Sequence, residues 1–449
     1  MSKWFEEAVF YHMYPLGMTG ASFENKEQTD VNGMEQLKLW IPYLKEMGFT
    51  AVYIGPLFES MTHGYDTTDY TKIDRRLGTN KEFCEFVSEC HQAGIKVVVD
   101  GVFNHTGRNF FAFLDILKNR EQSQYKDWYR GIRFDQNSPY NDGFSYEAWR
   151  NCYELINLNL YNSQVKEYLF GVIEGWIKEF MIDGIRLDCA DVLEFGFMKE
   201  IRLKTAQWKE DFWLMGEVIH GDYSKWANHE VLHSVTDYEL HKALYSGHND
   251  HNYFEIAHTV RRLFDEKGGT CRDVKLYSFV DNHDVDRIIE KLNNKDNLYP
   301  VYTLLFTLPG IPSVYYGSEW GIEGKKYQNS DAPLRPAVMA ETLSTKQNDL
   351  SVYIEKLCKI HKKYQELTQG KYQELQLTNR QYVFCRKLEN TAIVVMVNND
   401  EQSITLRLPE FMQINKLMDC IDETLLDKSQ NGDYMISIPA NSGRILYCL

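Results

Sequence analysis

The sequence predicts an α/β fold: a closed (β/α)8 TIM barrel, a small domain inserted after its third strand, and an antiparallel β-sandwich at the C-terminal end. Three observations support this prediction. Short apolar runs alternate with longer amphipathic stretches over roughly the first 320 residues, which is typical of parallel strands joined by helices. One connection, residues 106–161, is far longer than an ordinary loop. Beyond about residue 375, apolar and polar residues alternate as they do in antiparallel sheets.

Each predicted barrel strand is a short apolar, β-branched or aromatic run. Eight such runs occur, at residues 9–14, 51–54, 96–102, 184–188, 212–217, 234–238, 276–280 and 313–316. Eight parallel strands, each followed by a helical pattern, favour a closed barrel over an open sheet. The predicted domain limits are 1–105 with 162–370 for the barrel, 106–161 for the inserted domain, and 371–449 for the sandwich.

Composition limits the partners and the location of the chain. The 449 residues carry a net charge of −15, which argues against nucleic-acid binding because that function needs clustered basic residues. No apolar run is long enough for a membrane span, and residues 1–7 lack the apolar stretch of a secretion signal. Nine scattered cysteines form no Cys-x-x-Cys pair, which indicates reduced thiols. We therefore expect a cytoplasmic protein with no membrane partner. Its oligomeric state is left open.

Carboxylates stand at the ends of the predicted strands, where barrels of this kind form their active sites. Asp188 ends the fourth strand, Glu217 ends the fifth, and Asp284 follows the seventh. A single aspartate in such a place is ordinarily a helix cap or a turn former. Three carboxylates that converge together with Arg186 would be costly as a purely structural set, because burying like charges costs free energy.

Glycoside hydrolysis requires such a set of groups. One carboxylate attacks the anomeric carbon, and one carboxylic acid protonates the leaving oxygen. We predict that Asp188 is the nucleophile, that Glu217 is the general acid/base, and that Asp284 supports the distorted sugar and raises the pKa of Glu217 by repulsion. Arg186 precedes Asp188 by two residues on one strand face, so it is expected to favour the ionised form of Asp188.

Four segments resemble the hallmark segments of the α-amylase family of glycoside hydrolases, in order and on the expected strands. They are Asp-Gly-Val-Phe-Asn-His at 100–105, Gly-Ile-Arg-Leu-Asp at 184–188, Gly-Glu-Val at 216–218, and Phe-Val-Asp-Asn-His-Asp at 279–284. The resemblance covers nearly the whole chain and implies the same three domains. It also implies a retaining double displacement through a covalent glycosyl-enzyme at Asp188, with carboxylates about 5 to 5.5 Å apart.

The resemblance implies further residues that bind the substrate. Tyr65, within His63-Gly-Tyr65-Asp66, matches a tyrosine that stacks on the sugar at the cleaved bond, and His105 and His283 match histidines that contact hydroxyls of that sugar. Asp331 and Arg335 fall where members of the family contact the next sugar toward the non-reducing end. The implied set is His63, Tyr65, Asp66, His105, Arg186, His220, His283, Asp331 and Arg335.

Within the family, residues 216–220 and 234–238 are most similar to the neopullulanase and cyclomaltodextrinase branch, which acts on cyclodextrins, pullulan and short maltooligosaccharides. Three features depart from that branch. Its N-terminal β-domain is not expected here, Cys189-Ala190-Asp191-Val192 replaces its usual residues after the nucleophile, and Ile219 stands where it has a tryptophan. Both Ile219 and His220 are expected on the acceptor side. The resemblance implies an α-glucan oligosaccharide substrate, with cyclic or linear form and linkage left open.

Two other activities would use the same catalytic residues: a 4-α-glucanotransferase and a glucosyl isomerase. An inactive carbohydrate-binding protein is disfavoured, because such proteins usually lose a carboxylate and this chain has all three. His229, Glu230 and His233 match the two-histidine pattern of zinc proteases. That pattern is short, its right flank resembles a strand, and no third ligand is apparent.

Calcium is a separate question. Asn104 matches a calcium ligand of secreted α-amylases, but a calcium site needs six to eight oxygen ligands, and the sequence does not provide them near this position. The segment 154–159 also lacks the acidic residue usual in the corresponding family motif. No cofactor is expected to be required, no metal ligand is assigned, and calcium stays open as an alternative.

Overall fold

The computed structural model describes residues 3–25, 33–328 and 330–449. Eight parallel strands in this part of the chain form one sheet, and both ends of each lie within two residues of the prediction except at the sixth strand. They are β1 (Phe10–Met13), β2 (Ala51–Ile54), β3 (Lys96–Gly101), β4 (Gly184–Leu187), β5 (Trp213–Gly216), β6 (Ser234–Val235), β7 (Tyr277–Phe279) and β8 (Ile311–Tyr315).

The sixth strand is shorter than predicted. It ends at Val235, and residues 236–238 do not extend it. Asp237 instead caps the helix Tyr238–Asn249, because its Oδ1 accepts a hydrogen bond of 2.9 Å from the Leu240 amide. An aspartate that satisfies a free amide at a helix start ends the strand before it. The prediction of a strand as far as residue 238 is therefore wrong.

The sheet closes into the predicted barrel. Its neighbours run β6-β5-β4-β3-β2-β1-β8-β7, and a parallel bridge between Thr236 and Tyr277 joins the two ends. Side chains alternate along β1, so that Phe10 packs inside the barrel while Tyr11 packs outward against the helices. The interior is filled with aromatic residues such as Trp213 and Tyr277.

The helices surround the barrel and cover its outer face. The described helices are Pro15–Met18, Gly33–Lys38, Trp40–Met47, Asn80–Gln92, Phe111–Asn119, Ser163–Gly175, Phe195–Trp208, Tyr238–Asn249, Tyr253–Phe264, Ile288–Lys291, Leu298–Thr307, Leu343–Lys346, Asp349–Lys363 and Gln365–Gln369. No helix in the described ranges is both long enough and apolar enough to cross a membrane.

Two excursions from the barrel carry residues toward the ends of the strands. After β2, Phe58–Ser60 pairs antiparallel with Thr67–Ile73. After β3, the strands His105–Gly107, Ala148–Trp149 and Cys152–Asn157 form a small antiparallel sheet. This sheet lies within the long connection identified from the sequence, and it brings residues near position 150 to the barrel mouth.

The C-terminal part is an antiparallel sandwich, as predicted. Its strands are β9 (Lys371–Leu377), β10 (Gln381–Leu388), β11 (Thr391–Asn398), β12 (Ile404–Arg407), β13 (Leu417–Asp419), β14 (Thr424–Leu426), β15 (Met435–Ile438) and β16 (Ser442–Cys448). A six-stranded sheet and the pair β12 and β15 enclose a separate apolar core. The alternating pattern predicts strands at 382–387, 392–398, 403–408 and 443–448, which correspond to β10, β11, β12 and β16. Of the other four strands, three have only three or four residues.

Candidate active site

Arg186 lies among three buried carboxylates at the mouth of the barrel. Its Nη1 is 2.8 Å from Asp100 Oδ1 and 2.8 Å from Asp188 Oδ1, and its Nη2 is 2.9 Å from Glu217 Oε2. These side chains come from β3, from β4, and from the residues just after β4 and β5. They meet because the three strands are neighbours in the sheet. Asp100 is the first residue of the segment at 100–105, but the sequence indicated no role for it.

Glu217 is held by groups that sequence reasoning did not identify. The Cys189 amide donates a hydrogen bond of 3.1 Å to Oε2, from a residue with a left-handed φ of 49°. The Tyr238 hydroxyl donates to Oε1 at 3.4 Å and accepts from Asn282 Nδ2 at 3.1 Å. Tyr238 lies three residues after β6, and its place in the segment beyond a strand end was a signal that could have been used.

Burial raises the pKa of both Asp188 and Glu217. Arg186 lowers both pKa values, but it is shared among three carboxylates, so burial and the repulsion from neighbouring carboxylates outweigh it and the pKa of Asp188 reaches about 8. Arg186 acts in the expected direction, because it lowers the pKa of Asp188, but burial raises that pKa by more. Asp284 raises the pKa of Glu217, as predicted. The Asp188 and Glu217 pair thus retains a proton near neutral pH.

Asp284 lies at the other side of the site and is held by two bases. Its Oδ1 is 3.2 Å from Arg335 Nη2, and its Oδ2 is 3.0 Å from His283 Nε2. Arg335 also contacts Asp331 Oδ2 at 3.2 Å. The predicted residues Asp331 and Arg335 are therefore linked directly to Asp284.

Tyr65 and two histidines form an aromatic group beside the carboxylates. The rings of Tyr65 and His283 are nearly parallel, with centroids 5.5 Å apart. The Tyr65 hydroxyl donates to Asp100 Oδ2 at 3.0 Å and contacts His283 Nε2. His105 Nε2 lies 3.1 Å from the Tyr65 carbonyl oxygen. Burial lowers the pKa of His105 to about 4 and also lowers the pKa of His283 well below its ordinary value, so both rings are neutral.

Asp66 differs from most of the other predicted binding residues because its carboxylate binds its own loop. Both of its oxygens accept hydrogen bonds from Thr62, one from the amide at 3.1 Å and one from Oγ1 at 2.7 Å. The side chain is therefore used to hold its own loop. His63 lies in the same loop and faces the cavity, and its Nδ1 accepts from the Tyr65 amide at 3.2 Å. Burial lowers the pKa of His63.

A cavity of about 1410 Å³ opens above these groups, which is larger than the pocket of an ordinary small ligand. The predicted residues that line it are His63, Tyr65, His105, Asp188, Glu217, His220, Asp284, Asp331 and Arg335, whereas Asp66, Arg186 and His283 do not. Sequence reasoning missed Tyr14, Trp149, Arg150 and Lys326 in the lining. Trp149 comes from the small inserted sheet and lies near the His105 ring.

Comparison with known protein families identifies both large parts of the chain. Residues 18–366 match the α-amylase catalytic domain, and residues 370–446 match an α-amylase C-terminal domain. The chain belongs to the α-amylase family of glycoside hydrolases. The match covers well over half of the sequence and includes every residue predicted for the site.

Several relatives of this α-amylase-family chain carry the names that the sequence analysis anticipated. A Bacillus cyclomaltodextrinase is 30% identical over 90% of this chain and 75% of its own length, and neopullulanase 2 of Thermoactinomyces vulgaris is 30% identical over 91% and 72%. Among solved structures, a cyclomaltodextrinase superposes with a TM-score of 0.87 at 27% identity, covering 99% of this chain and 78% of that one. The chain thus spans about three quarters of these relatives.

Calcium, which the α-amylase family often uses, does not fit the residues around Asn104. The side-chain nitrogen of Asn104 lies 3.2 Å from His105 Nδ1 and 3.5 Å from Asn157 Oδ1, and neither partner is a carboxylate. Calcium takes six to eight oxygen ligands and favours carboxylates. Within the described ranges, one group of three side chains could hold a metal ion, and it is Asp188, Cys189 and Glu217 themselves.

The zinc-protease pattern does not form a metal site. Residues 229–233 are not helical, so the two histidines are not placed one helical turn apart. His229 is almost fully exposed, and Glu230 pairs with Lys199 at 2.6 Å. His233 is turned inward and accepts a hydrogen bond of 3.0 Å from the Leu214 amide. The pattern in this family member therefore arose by chance.

Proposed function

We propose that this protein is a retaining glycoside hydrolase that cleaves α-glucosidic bonds, mainly α-1,4, in maltooligosaccharides and cyclodextrins by double displacement. The observation that supports it most is the closeness of its two central carboxylates. Oxygens of Asp188 and Glu217 lie within 4.8 Å of one another. Inverting enzymes separate their carboxyl groups by about 6.5–9.5 Å to admit a water molecule, whereas retaining enzymes need about 5–5.5 Å.

In the first step, Glu217 protonates the glycosidic oxygen while an Asp188 oxygen attacks the anomeric carbon. The bond to the leaving sugar breaks, and a covalent glycosyl-enzyme forms at Asp188. In the second step, Glu217 removes a proton from water, and the resulting hydroxyl displaces Asp188. The proton retained by the carboxylate pair resides on Glu217 at the start of this cycle. A sugar hydroxyl in place of water gives transglycosylation.

The residues around the pair position the sugar that is cleaved. Tyr65 offers the face of its ring to the apolar face of the sugar. His105 lines the cavity and supports the Tyr65 backbone, and His283 acts through Tyr65 and Asp284 because its Nε2 faces those groups. Asp284, which Arg335 and His283 hold in place, binds hydroxyls that shift as the ring flattens. His63, Asp331 and Arg335 contact the sugar or its neighbour on the non-reducing side, and His220 contacts the acceptor. Arg186 acts through the carboxylates, and Asp66 acts through the loop of Tyr65.

The proposed substrate class follows from the cavity and from the relatives. The cavity is large enough for several sugar residues, and relatives are named cyclomaltodextrinase, neopullulanase and intracellular maltogenic amylase. A 4-α-glucanotransferase or glucosyl isomerase remains the alternative, because it would use the same catalytic groups. We further propose a cytoplasmic location, no required metal cofactor, and residues 106–161 and 371–449 as separate domains.

Product analysis distinguishes these activities. Purified protein is incubated separately with maltotriose, β-cyclodextrin and pullulan, and the products are separated by chromatography. We expect opening of the cyclodextrin followed by release of maltose and glucose. Oligosaccharides longer than maltotriose, formed without net release of reducing ends, would identify a glucanotransferase instead. No product from any of the three substrates would contradict the proposed activity.

The roles of the two carboxylates are tested with azide as an external nucleophile and maltosyl fluoride as an activated substrate. In Asp188→Ala, azide must attack the substrate directly, so the product is the β-azide. In Glu217→Ala, the glycosyl-enzyme still forms and azide attacks it, so the product is the α-azide. On maltotriose without azide, Glu217→Ala is expected to lower kcat by about 10²–10⁴-fold. The opposite pair of azide configurations would exchange the two roles.

A further inference from the structure

His12 is a buried histidine that the proposed mechanism does not use. It lies in β1 on the barrel interior, above Phe10, and is 3% exposed. Its ring stacks on Tyr53, with centroids 4.3 Å apart and planes 27° apart. It also meets the His283 ring edge to face at 5.2 Å. His12 therefore lies directly beneath the group that holds the sugar, without lining the cavity.

Two nitrogens on these neighbouring rings have no protein partner. Among the described residues, nothing hydrogen-bonds His12 Nε2 or His283 Nδ1, and both atoms are buried. His283 is 1% exposed. An unsatisfied buried nitrogen costs free energy, and buried polar atoms nearly always have a protein or water partner. Two such atoms on adjacent rings point to an interaction with one another through one bound water molecule.

The neighbours of His283 determine which of its nitrogens carries the proton. The Tyr65 hydroxyl lies 3.0 Å from Asp100 Oδ2, and an ionised carboxylate only accepts, so Tyr65 donates its proton there. The Tyr65 oxygen is then an acceptor toward His283 Nε2, as is Asp284 Oδ2 at 3.0 Å. These two acceptors favour the tautomer in which His283 Nε2 carries the proton. Its Nδ1 is left as an acceptor that needs a donor.

We propose that His12 is a positioning residue that donates its Nε2 proton through one water molecule to His283 Nδ1 and thereby fixes the tautomer of His283. In this tautomer, the Nε2 proton of His283 holds Asp284 and the Tyr65 oxygen in place for the sugar. Both rings are neutral, because burial lowers the pKa of each well below its ordinary value. The catalytic consequence rests on the proposed function, whereas the tautomer of His283 does not.

The tautomer is measured directly by ¹⁵N NMR of histidine-labelled protein, with the His283 signals identified from their absence in His283→Asn. In the parent protein we expect a protonated Nε2 and an unprotonated Nδ1 that accepts a hydrogen bond. A protonated Nδ1 in the parent would overturn the proposal, whatever the activity of the enzyme. This measurement needs no variant at position 12, so a protonated Nδ1 would overturn the proposal even where a substitution there prevents folding, and the substitutions below test the contribution of His12 itself.

Two substitutions at position 12 distinguish the effect of losing the hydrogen-bond donor from the effect of changing the packing. His12→Gln can keep an N–H near the position of Nε2, while His12→Leu fills much of the space without a donor. We expect His12→Leu to give mixed tautomers of His283 and to lower kcat on maltotriose by about tenfold with KM little changed, as loss of a partner behind a functional histidine does. His12→Gln should restore both. Thermal unfolding measures the packing contribution separately. An unchanged tautomer in His12→Leu, or the same losses in a folded His12→Gln, would overturn the proposal.

Discussion

At the scale of residues, one guanidinium serves three buried carboxylates, and this arrangement costs stability. Burial raises the pKa of Asp188 to about 8 and also raises that of Glu217, compared with about 3.9 for an aspartate in an unfolded chain. The retained proton is shared by these two carboxyls, so the titration belongs to the pair. A raised folded-state pKa means that stability is fully present below the unfolded pKa and is lost as the pH rises through the folded one. The parent protein should therefore lose stability between about pH 4 and pH 8 because of the Asp188 and Glu217 carboxyl pair.

Asp188→Asn removes that titration while it keeps the shape of the side chain. We expect the variant to be inactive yet to unfold at a temperature several degrees above the parent at pH 8, with a difference that shrinks toward pH 5. Calorimetry at both pH values measures it. Asp273→Asn is the matched control, because its carboxylate is 86% exposed and should give no such gain. A difference that grows toward low pH would contradict the raised pKa.

The meeting of the three proposed catalytic carboxylates could be predicted from the sequence because each stands at or after a strand end within a recognisable segment. Asp188, Glu217 and Asp284 do meet in one cavity. The partners of these residues were harder to identify. Asp100 lies near the end of β3 and Tyr238 lies three residues after β6, but only the assembled barrel shows that Asp100 pairs with Arg186 and that Tyr238 contacts Glu217. His12 gave no signal at all, because an inward-facing position on a short strand is indistinguishable in sequence from a core position.

At the scale of elements, a tight loop between the two strands after β2 positions Tyr65. Asp66 holds the loop by accepting from the Thr62 amide and Oγ1, and Gly64 adopts a left-handed φ of 94° beside Pro56. Asp66→Ala should free the loop and lower kcat/KM on maltotriose by about tenfold, since small displacements of a positioning group are costly. Steady-state kinetics measure this loss.

A matched control lies in the same hairpin. Asp69 accepts from the amide and Oγ1 of Thr71 at 2.9 and 2.6 Å, which repeats the interaction of Asp66 with Thr62 away from the cavity. Asp69→Ala should lower stability slightly and leave kcat/KM unchanged. If the two variants lose activity equally, the effect belongs to the hairpin as a whole, and the specific role of Asp66 is wrong.

Elements with continuous apolar runs were predicted well, and short or capped ones were not. The runs of β2 and β3 are buried along almost their whole length, so their pattern is unambiguous. Strand β6 has only two residues because a helix cap competes with it. Strands β13 and β14 have three residues each, which is too short to establish an alternation of period two.

At the scale of the whole molecule, the C-terminal sandwich is joined to the barrel by buried contacts. Arg386 of β10 donates to the Thr307 carbonyl oxygen at 3.1 Å, and Asn399 donates to the His248 carbonyl oxygen at 2.9 Å. Gly443 of β16 packs so closely on the barrel helix Leu298–Thr307 that an added Cβ would lie 2.8 Å from Thr303 Cγ2. Such tight packing leads us to expect that the two parts unfold together.

The nine tryptophans allow a test of this coupling, because all of them precede residue 321 and their fluorescence reports only on the barrel and its insertion. Gly443→Val would force a side chain against Thr303, at a cost of about 1–3 kcal/mol for overpacking. We expect the thermal midpoint measured by tryptophan fluorescence to fall by a few degrees together with the calorimetric one. Thr405→Val, on an exposed position of β12, should leave both unchanged. A calorimetric transition that moves while the fluorescence midpoint stays fixed would mean that the sandwich unfolds independently, and that its contacts with the barrel contribute little to the stability of the active site.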